Sequence, residues 1–473
     1  MQKSILNNFS GVLNLQGLEE GYDSMFSVNE NIVTVIPLDA ECRKEIDKLS
    51  YLNKSNQEDQ WLYGLSEDNC CVAILKKSQL NTGFSSGINL GTAKFVTPLI
   101  AKNTQVGYVE LSKFDSIEFY GGIVDILHTP GLAIEEKYSE KSILFNDKSD
   151  YTREFDVEVN GEEFKISYSV STADLWMETG RVPDLRNSIH SILRFDFKTE
   201  HELCDIEKYY SYAMHLFQFC TGRLNVRSEI RLYKKEQNQP ILLRFIDSFN
   251  DYADDVLNFT QVIRFQFLND LFPNLFKILN EENTQPYLLF LPQQNKDANS
   301  IIYTNVSDVC VAFEREYNFL KLDSKSAAEV EASQSLTAHL IEEIDKAVNC
   351  PDTIKTKAKN ILNSQLKSFS PSLKEKIVCI YEELIENAKV ITDQENQRHH
   401  KTCEFYEIGK FKEKVNQFVA MRNKASHSGI VWNDGIEIFG DIKLCIYYCV
   451  LMRSGFSFEH SAKMLSWLFN RQI

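Results

Sequence analysis

The chain has 473 residues, of which 43% are hydrophobic and 12% are aromatic, enough to fill the cores of two or three domains. Its 51 basic and 67 acidic residues give a net charge of −16, which argues against a protein that binds nucleic acid over its whole surface. Residues 444–452, the longest candidate membrane run, are too few to cross a bilayer.

Two further properties of the sequence bear on its location in the cell. The first residues lack the apolar core of a secretory signal. The eleven cysteines are scattered, odd in number and free of any Cys-x-x-Cys pair, which favours reduced thiols over a disulfide framework. We therefore predict a cytoplasmic protein without a membrane segment.

Residues 1–200 carry short runs of β-branched and aromatic residues that are separated by polar or glycine-containing segments, a pattern typical of strands. Asn160-Gly161 between two such runs is a hairpin-turn signal. We predict a β-rich N-terminal domain over residues 1–200, built as a sandwich or a curved sheet. The predicted strands are residues 31–38, 61–65, 70–75, 93–100, 116–120, 155–159 and 164–170.

Residues 201–300 mix both kinds of element and are predicted to form a connecting region. Apolar residues recur at helical spacing from Ile206 to Cys220, and Gly222 is a suitable helix C-cap. Strands are predicted over 224–233 and 240–246. An apolar helix is predicted over 262–279, kinked or split at Pro273, and a linker over 288–300.

Residues 301–473 show helical periodicity throughout and predict an all-α bundle. Helices are predicted over 306–320, 329–348 and 353–369. Ser370-Pro371-Ser372 opens a fourth helix, with Ser372 and Glu375 spaced as a capping box. A polar loop over 392–402 precedes the next helix, and a further helix spans 435–452. The predicted fold class is α+β, a β-rich N-terminal domain followed by this bundle.

The acidic charge is unevenly distributed between these regions. Residues 301–473 carry 22 basic and 23 acidic residues, whereas the first 300 carry 29 and 44. The C-terminal region is therefore nearly neutral and contains local basic runs around residues 355–367 and 398–414. Such runs can follow a phosphate backbone, although a solvated helix face explains them equally well.

The motif of greatest interest lies in residues 411–429. Phe411, Val415, Phe418 and Val419 share one helix face, and Arg422 continues that apolar stripe. His427 follows five residues later, about 140° around an unbroken helix. The two side chains therefore converge within one chain only if the helix frays or ends between them, and the predicted stop at Ser428-Gly429 allows this.

Two other arginines are followed by a histidine at similar spacing. Arg194 alternates with apolar residues and is predicted to lie on the solvent side of a strand, before His201. Arg453 and His460 flank a predicted turn between helices. Only Arg422 and His427 combine this spacing with an apolar stripe, although the helix dipole alone favours cations in a last turn.

Arginine and histidine together supply the groups that RNA cleavage requires. A guanidinium binds phosphate through two parallel hydrogen bonds, and imidazole exchanges a proton near neutral pH. The RNA 2′-hydroxyl is the nucleophile, so the reaction needs no metal. Glu314 and Glu316 could instead pair with a buried arginine, but we interpret both as exposed helix carboxylates.

The sequence contains no motif for a cofactor. Neither phosphate-binding glycine pattern occurs, and we predict no cofactor. His399, His400 and Cys403 form the one cluster that resembles metal ligands, but it lacks a fourth ligand nearby, so we interpret it as a polar loop and predict no metal site.

The segment MRNKASHSG resembles the Arg-Asn-x-x-x-His motif of HEPN domains, helical bundles that often act as RNases, and most of all the ApeA-like group from bacterial anti-phage defence. The segments FYGGIVDILHTPGLAIEE, CDIEKYYSYAMHLFQFCTGRLNV and LMRSGFSFEHSAKMLS extend the resemblance to most of the chain. It implies a metal-independent endoribonuclease that cleaves tRNA, halts translation during infection and leaves 2′,3′-cyclic phosphate ends.

The same resemblance implies roles for individual residues and partners. His427 would move protons, Arg422 would hold the scissile phosphate, and Asn423 would orient one of them or bridge the dimer. Lys410, Lys414 and Lys424 are weaker candidates for RNA contacts. The bundle would form at least a homodimer, and the acidic N-terminal domain would sense an activator such as a phage protein.

The alternative function is a non-catalytic HEPN protein that uses the bundle only for dimerisation or for binding a partner. In that case Arg422 is a structural cation. A carbohydrate- or peptide-binding β-domain with an accessory bundle has little support from individual residues.

Overall fold

A computed structural model gives the fold of the chain. It describes residues 8–14, 24–29, 32–38, 60–76, 81–83, 92–97, 99–106, 111–137, 142–171, 189–234, 240–245, 261–281, 285–292, 301–320, 327–367, 372–395, 405–428 and 434–470. Within these ranges, no helix is both long enough and apolar enough to span a membrane.

The chain divides into two compact units. The N-terminal unit comprises Met1–Phe217 and Asn225–Val256, and the C-terminal unit comprises Gln218–Leu224 and Leu257–Ile473. Residues 201–300, the predicted connecting region, contribute to both units. A β-rich N-terminal part followed by a helical C-terminal part confirms the predicted α+β class.

The N-terminal unit is built on one antiparallel sheet, in which fourteen strands can be traced in the described ranges. Its order is β12-β13-β14-β9-β15-β16-β8-β5-β4-β1-β2-β3-β7-β6. The strands are β1 Asn8–Asn14, β2 Ser24–Asn29, β3 Ile32–Pro37, β4 Gln60–Ser66, β5 Cys70–Lys76, β6 Asn81–Gly83, β7 Thr92–Val96, β8 Leu99–Val106, β9 Lys113–Tyr120, β12 Arg153–Val159, β13 Glu162–Ser171, β14 His190–Glu202, β15 Glu229–Tyr233 and β16 Ile241–Phe245. A separate hairpin pairs β10 Ile134–Lys137 with β11 Ser142–Phe145.

The predicted strands are present in this sheet, with two differences. Of the predicted strand over 224–233, only Glu229–Tyr233 is a strand, and residues 224–228 before it are not. The run over residues 93–100 is two strands, β7 and β8, separated around Thr97, whose hydroxyl donates to the Leu75 carbonyl oxygen at 2.7 Å. The predicted hairpin turn is confirmed, because Val159 pairs with Glu162 while Asn160 and Gly161 adopt φ angles of 52° and 81°. Two successive positive φ values match the twist of the flanking strands.

In the described part of this unit, three helices accompany the sheet, α1 Gly122–Leu127, α2 Lys148–Tyr151 and α3 Ile206–Thr221. The helix α3 packs its apolar side on β13, β14 and β9 toward one end of the sheet, where the Phe217 ring lies 6.3 Å from the Phe119 ring of β9. It ends at Gly222, which has a φ of 66°, as its predicted C-cap role requires. Its last residues, from Gln218, belong to the C-terminal unit.

The C-terminal unit is helical in all its described parts. Its helices are α4 Phe265–Leu268, α5 Phe272–Glu281, α6 Tyr303–Phe319, α7 Ala327–Lys346, α8 Asp352–Lys367, α9 Leu373–Glu395, α10 Ile408–Ser428, α11 Phe439–Arg453 and α12 Phe458–Phe469. The predicted apolar helix over 262–279 is split at Asn269, which has a φ of 46°, and Pro273 lies in the first turn of α5. Proline fits there because its missing N–H has no intrahelical partner.

The helix α11 is the centre of this unit. Eleven of its residues are buried, from Phe439 to Leu451, and they lie on every side of the helix. A helix that is apolar all round must be enclosed by other elements. The Tyr447 ring stacks on Phe219 at 4.7 Å, and the Phe469 ring meets it edge-on at 5.6 Å.

Candidate active site

The helix α10 carries the candidate residues and packs through one apolar stripe. Phe411, Val415, Phe418 and Met421 are buried, and the Phe411 ring stacks on Tyr381 of α9 with 3.5 Å between centroids. Val419, which we predicted on this face, is only half-buried. The stripe thus ends on Met421, and the neighbouring Arg422 lies half-buried at its edge.

The helix continues through the motif without a break. It runs to Ser428, so Arg422 and His427 both lie within it. Five helical residues separate their Cα atoms by about 140° around the axis and about 7.5 Å along it. The helix does not end between the two residues, so the condition for convergence within one chain is not met. Beyond Lys424, the side chains of α10 lie outside the described part of the structure.

The Arg422 guanidinium has two neighbours that locate it. Its Nη1 donates to the Asn423 Oδ1 at 3.3 Å. Its positive charge also acts on Cys310 of α6, where burial raises the pKa of the thiol to about 12 and Arg422 opposes that rise. Arg422 therefore lies between the solvent and the α6 side of the bundle, and Asn423 and Lys424 beside it are exposed.

The buried arginine–carboxylate pair of the bundle involves a different arginine. Glu316 of α6 is fully buried, and its Oε2 lies 3.0 Å from Nη2 of Arg453 at the end of α11. The Arg453 guanidinium also lies over the Phe319 ring, 4.6 Å from its centroid. Our interpretation of Glu316 as an exposed carboxylate was wrong, whereas Glu314 is half-buried.

In the other two arginine–histidine pairs, the arginine and the histidine contact different partners. Arg194 alternates with the buried Leu193 and Phe195 and so lies on the more exposed face of β14, as predicted, where it bonds to Glu118 at 3.0 Å and Asp196 at 2.8 Å. His201 contacts the Tyr209 hydroxyl at 3.0 Å. His460 lies in the exposed first turn of α12, 3.2 Å from the Ser457 hydroxyl that caps that helix.

The three lysines predicted to contact RNA differ in their surroundings. Lys414 is buried and forms an ion pair with Glu437, so its ammonium group already has an anionic partner. Lys410 is exposed, with its Nζ 5.6 Å from the centre of the Tyr406 ring, and Lys424 is exposed as well. Lys414 therefore has the weakest claim of the three to a phosphate contact.

Sequence reasoning overlooked two residues of this surface, Tyr406 and Glu437. The Tyr406 amide donates to the Tyr381 hydroxyl at 2.8 Å, which ties the start of α10 to α9. Its ring is flanked by Lys410 and Lys414. The signal available in sequence was a tyrosine four residues before a lysine at a helix start, which is too common to single out.

No cluster of three potential metal ligands occurs among the side chains of the described ranges. His399, His400 and Cys403 lie outside those ranges, so their interpretation as a polar loop stays a prediction.

No family model, curated protein or solved structure matches this chain. The resemblance to HEPN domains thus rests on the residues quoted above. Chemically, residues 422–424 of α10 offer a guanidinium, a carboxamide and an ammonium group in succession, and the same helix carries an imidazole further along.

Proposed function

We propose that the chain is a metal-independent endoribonuclease of the HEPN type. The observation that supports this most directly is the placement of Arg422. Its guanidinium lies half-buried at the edge of the bundle, 3.3 Å from Asn423 Oδ1, and the exposed Asn423 and Lys424 follow it on the same helix. A guanidinium in this position can reach a phosphate that approaches from the solvent.

In the proposed reaction, neutral His427 removes the proton from an RNA 2′-hydroxyl, and the 2′-oxygen attacks the adjacent phosphorus. The bond from phosphorus to the 5′-oxygen breaks, and that oxygen takes up a proton from imidazolium. The products are a 2′,3′-cyclic phosphate and a 5′-hydroxyl. Arg422 binds the phosphate and stabilises the charge that grows on it, and Asn423 orients the guanidinium.

The site is proposed to be composite. Because Arg422 and His427 diverge around one continuous helix, two copies of the chain would supply an arginine and a histidine to a shared phosphate. The resemblance implies a homodimer through the C-terminal bundle, in which two copies share a site in this way. Lys410 and Lys424 would contact neighbouring phosphates of the bound strand.

The biological setting follows from the resemblance alone. The chain would act in the bacterial cytoplasm during phage infection, with tRNA as its substrate. Because such an activity is toxic, it requires a silent resting state. The acidic N-terminal unit is the proposed sensor of a phage component, and its negative charge would also disfavour RNA binding outside the bundle.

The test is RNA cleavage by the purified protein in the presence of EDTA. His427→Ala is expected to abolish cleavage, and Arg422→Ala to reduce it by at least about a hundredfold, since charge stabilisation of this kind contributes that much. His460→Ala, which removes an exposed histidine at the start of α12, is the matched control and should cleave normally. Undiminished EDTA-resistant cleavage by His427→Ala would falsify the assignment.

One observation favours the non-catalytic alternative. Arg422 is half-buried and acts electrostatically on Cys310 of α6, as a structural cation would. Under that function Arg422→Ala lowers the melting temperature as strongly as it lowers dimer formation, and neither Arg422→Ala nor His427→Ala alters RNA cleavage. A thermal melt of Arg422→Ala beside the cleavage assay separates the two functions.

A further inference from the structure

The helices α7 and α8 form an antiparallel hairpin. In its described residues, few polar contacts join the two helices. Residues 347–351 connect them, and Asn349 there has a φ of 67°. Asp345 of α7 holds the two helices together, with its carboxylate 2.5 Å from the Lys359 ammonium and its carbonyl oxygen 2.9 Å from the Lys355 ammonium.

This hairpin exposes an unusual amount of apolar side chain. Fifteen large apolar residues are exposed in the described ranges, and five of them lie between residues 336 and 361. They are Leu336 (59% exposed), Leu340 (39%), Val348 (85%), Ile354 (56%) and Ile361 (54%). A single exposed leucine is ordinary, but a cluster of this size marks an interaction surface.

The apolar residues lie on the outer sides of the hairpin. Asp345 marks the side of α7 that faces α8, and Leu336 and Leu340 are about 180° and 140° away from it around the helix axis. Lys359 marks the inner side of α8, and Ile354 and Ile361 are about 140° and 160° away. Each helix therefore presents its own apolar pair away from the other.

The two outer sides carry charged residues of opposite sign, Glu343 on α7 and Lys357 on α8. Glu343 is about 160° from Asp345 and so lies near Leu340, within 3.2 Å of Lys346. Lys357 is about 160° from Lys359 and lies near Ile354.

We infer that this hairpin is a self-association surface, in which the outer side of α7 of one copy packs against the outer side of α8 of a second copy. Contact between two α7 helices would bring Glu343 near its equivalent, and contact between two α8 helices would do the same for Lys357. Packing α7 on α8 instead joins apolar to apolar and acid to base. One hairpin carries both surfaces on opposite sides, so a second copy of this chain is the partner that fits either side, and copies join head to tail.

Charge also distinguishes this partner from RNA. Lys355 and Lys359 are already bound to Asp345, and the acidic α7 lies directly beside them. The alternation of isoleucine with Lys357 on the outer side of α8 suits an amphipathic helix better than a phosphate chain. The inference goes beyond the proposed cleavage activity and does not depend on it.

The experiment is sedimentation equilibrium of the full chain over a wide range of concentrations. Leu340→Asp and Ile354→Asp should each raise the dissociation constant by at least about tenfold, because each buries a charge in the contact. Val106→Asp is the matched control: Val106 is 69% exposed in the N-terminal unit, and its substitution should leave the constant unchanged. Circular dichroism melts verify that each variant folds.

Charge reversal tests the pairing itself. Lys357→Glu and Glu343→Lys should each weaken association, and the double variant should regain most of it, because the charges are then exchanged across the contact. A wild-type chain that stays monomeric at all concentrations overturns the inference, as does association that none of these variants alters. A monomer that binds single-stranded RNA or anionic vesicles through Lys357 would overturn it too. Association that these variants weaken, in a chain that cleaves no RNA, would support this inference while the proposed function fails, so the two failures give different results.

Discussion

At the scale of single residues, the Glu316–Arg453 pair is a charge arrangement that should be costly to disturb. Glu316 is fully buried, and its Oε2 lies 3.0 Å from Arg453 Nη2. We expect Arg453→Met to lower the free energy of unfolding by about 3–5 kcal/mol, because it leaves a carboxylate buried without its cation. The double variant Glu316→Leu/Arg453→Met should recover much of that loss. Urea denaturation measures both, and equal losses from the single and double variants would contradict this account.

His128 is a buried histidine of the N-terminal unit that should make stability depend on pH. Its Nε2 lies 2.8 Å from the Tyr151 carbonyl oxygen, and burial lowers its pKa from the ordinary value of 6.5. The unfolded chain therefore binds the proton more readily than the folded one. The contribution of His128 to the free energy of unfolding is expected to be constant above about pH 6.5. It should fall as the pH drops from there towards the pKa of His128 in the folded chain.

The test of this pH dependence is urea denaturation at pH 8 and pH 5.5. His128→Gln removes the titrating group, so the loss of stability between the two pH values should shrink relative to wild type. His460→Gln changes an exposed histidine and should keep the wild-type difference. The same pH difference in His128→Gln as in wild type would exclude His128 as its source.

At the scale of elements, the start of α9 depends on the capping box that the sequence predicted. The Ser372 amide donates to Glu375 Oε2 at 2.7 Å, and the Glu375 amide donates to the Ser372 hydroxyl at 3.3 Å. Ser372→Ala should cost about 1 kcal/mol, since it removes one acceptor at the helix start. Ser372→Gly should cost only about a few tenths of a kcal/mol. Chemical denaturation of both variants checks the order, and a reversed order would argue against the cap.

Elements were predictable where the information is local. The alternation of residues 164–170, the Asn160-Gly161 turn and the Ser372 cap are each written within a few residues, and all three are present. The arrangement of fourteen strands in one sheet was not predicted, because pairs such as β9 with β15 join distant segments. Periodicity alone does not determine such pairing.

In the candidate site, too, the features determined by local sequence were predicted, and those that depend on distant partners were not. The amphipathic α10 was predicted, but the rotation of its stripe was not, since whether Val419 or Met421 is buried depends on the helices packed against it. The partner of Glu316 lies 137 residues away, beyond any local pattern. The pairing of Lys414 with Glu437 was likewise invisible in a basic run.

At the scale of the whole molecule, the cysteines should report on the two units separately. Cys204 and Cys379 are exposed, whereas Cys70 and Cys71 of the N-terminal unit and Cys445 and Cys449 of the C-terminal unit are buried. Burial also raises the pKa of Cys449, which disfavours the reactive thiolate.

Among the cysteines of the described ranges, we expect alkylation of the native chain to modify Cys204 and Cys379 first. Mass spectrometry at increasing urea concentrations should then show Cys70 and Cys71 reacting together, and Cys445 and Cys449 reacting together, as their unit unfolds. Cys204 serves as the internal standard. Rapid modification of Cys445 without denaturant would contradict the enclosed position of α11.

That enclosed position has a consequence for how the protein is made. The helices α6 and α9, and the aromatic ring of Phe219, all precede α11 in the chain, yet they pack around it or against it. During synthesis these segments emerge from the ribosome before the helix that they surround exists. Until α11 is made, their apolar sides are exposed to water or bound by a chaperone. A polypeptide whose synthesis stops before Phe439 cannot complete this unit. A nascent chain should therefore stay incapable of any activity that the bundle supports until translation has passed α11.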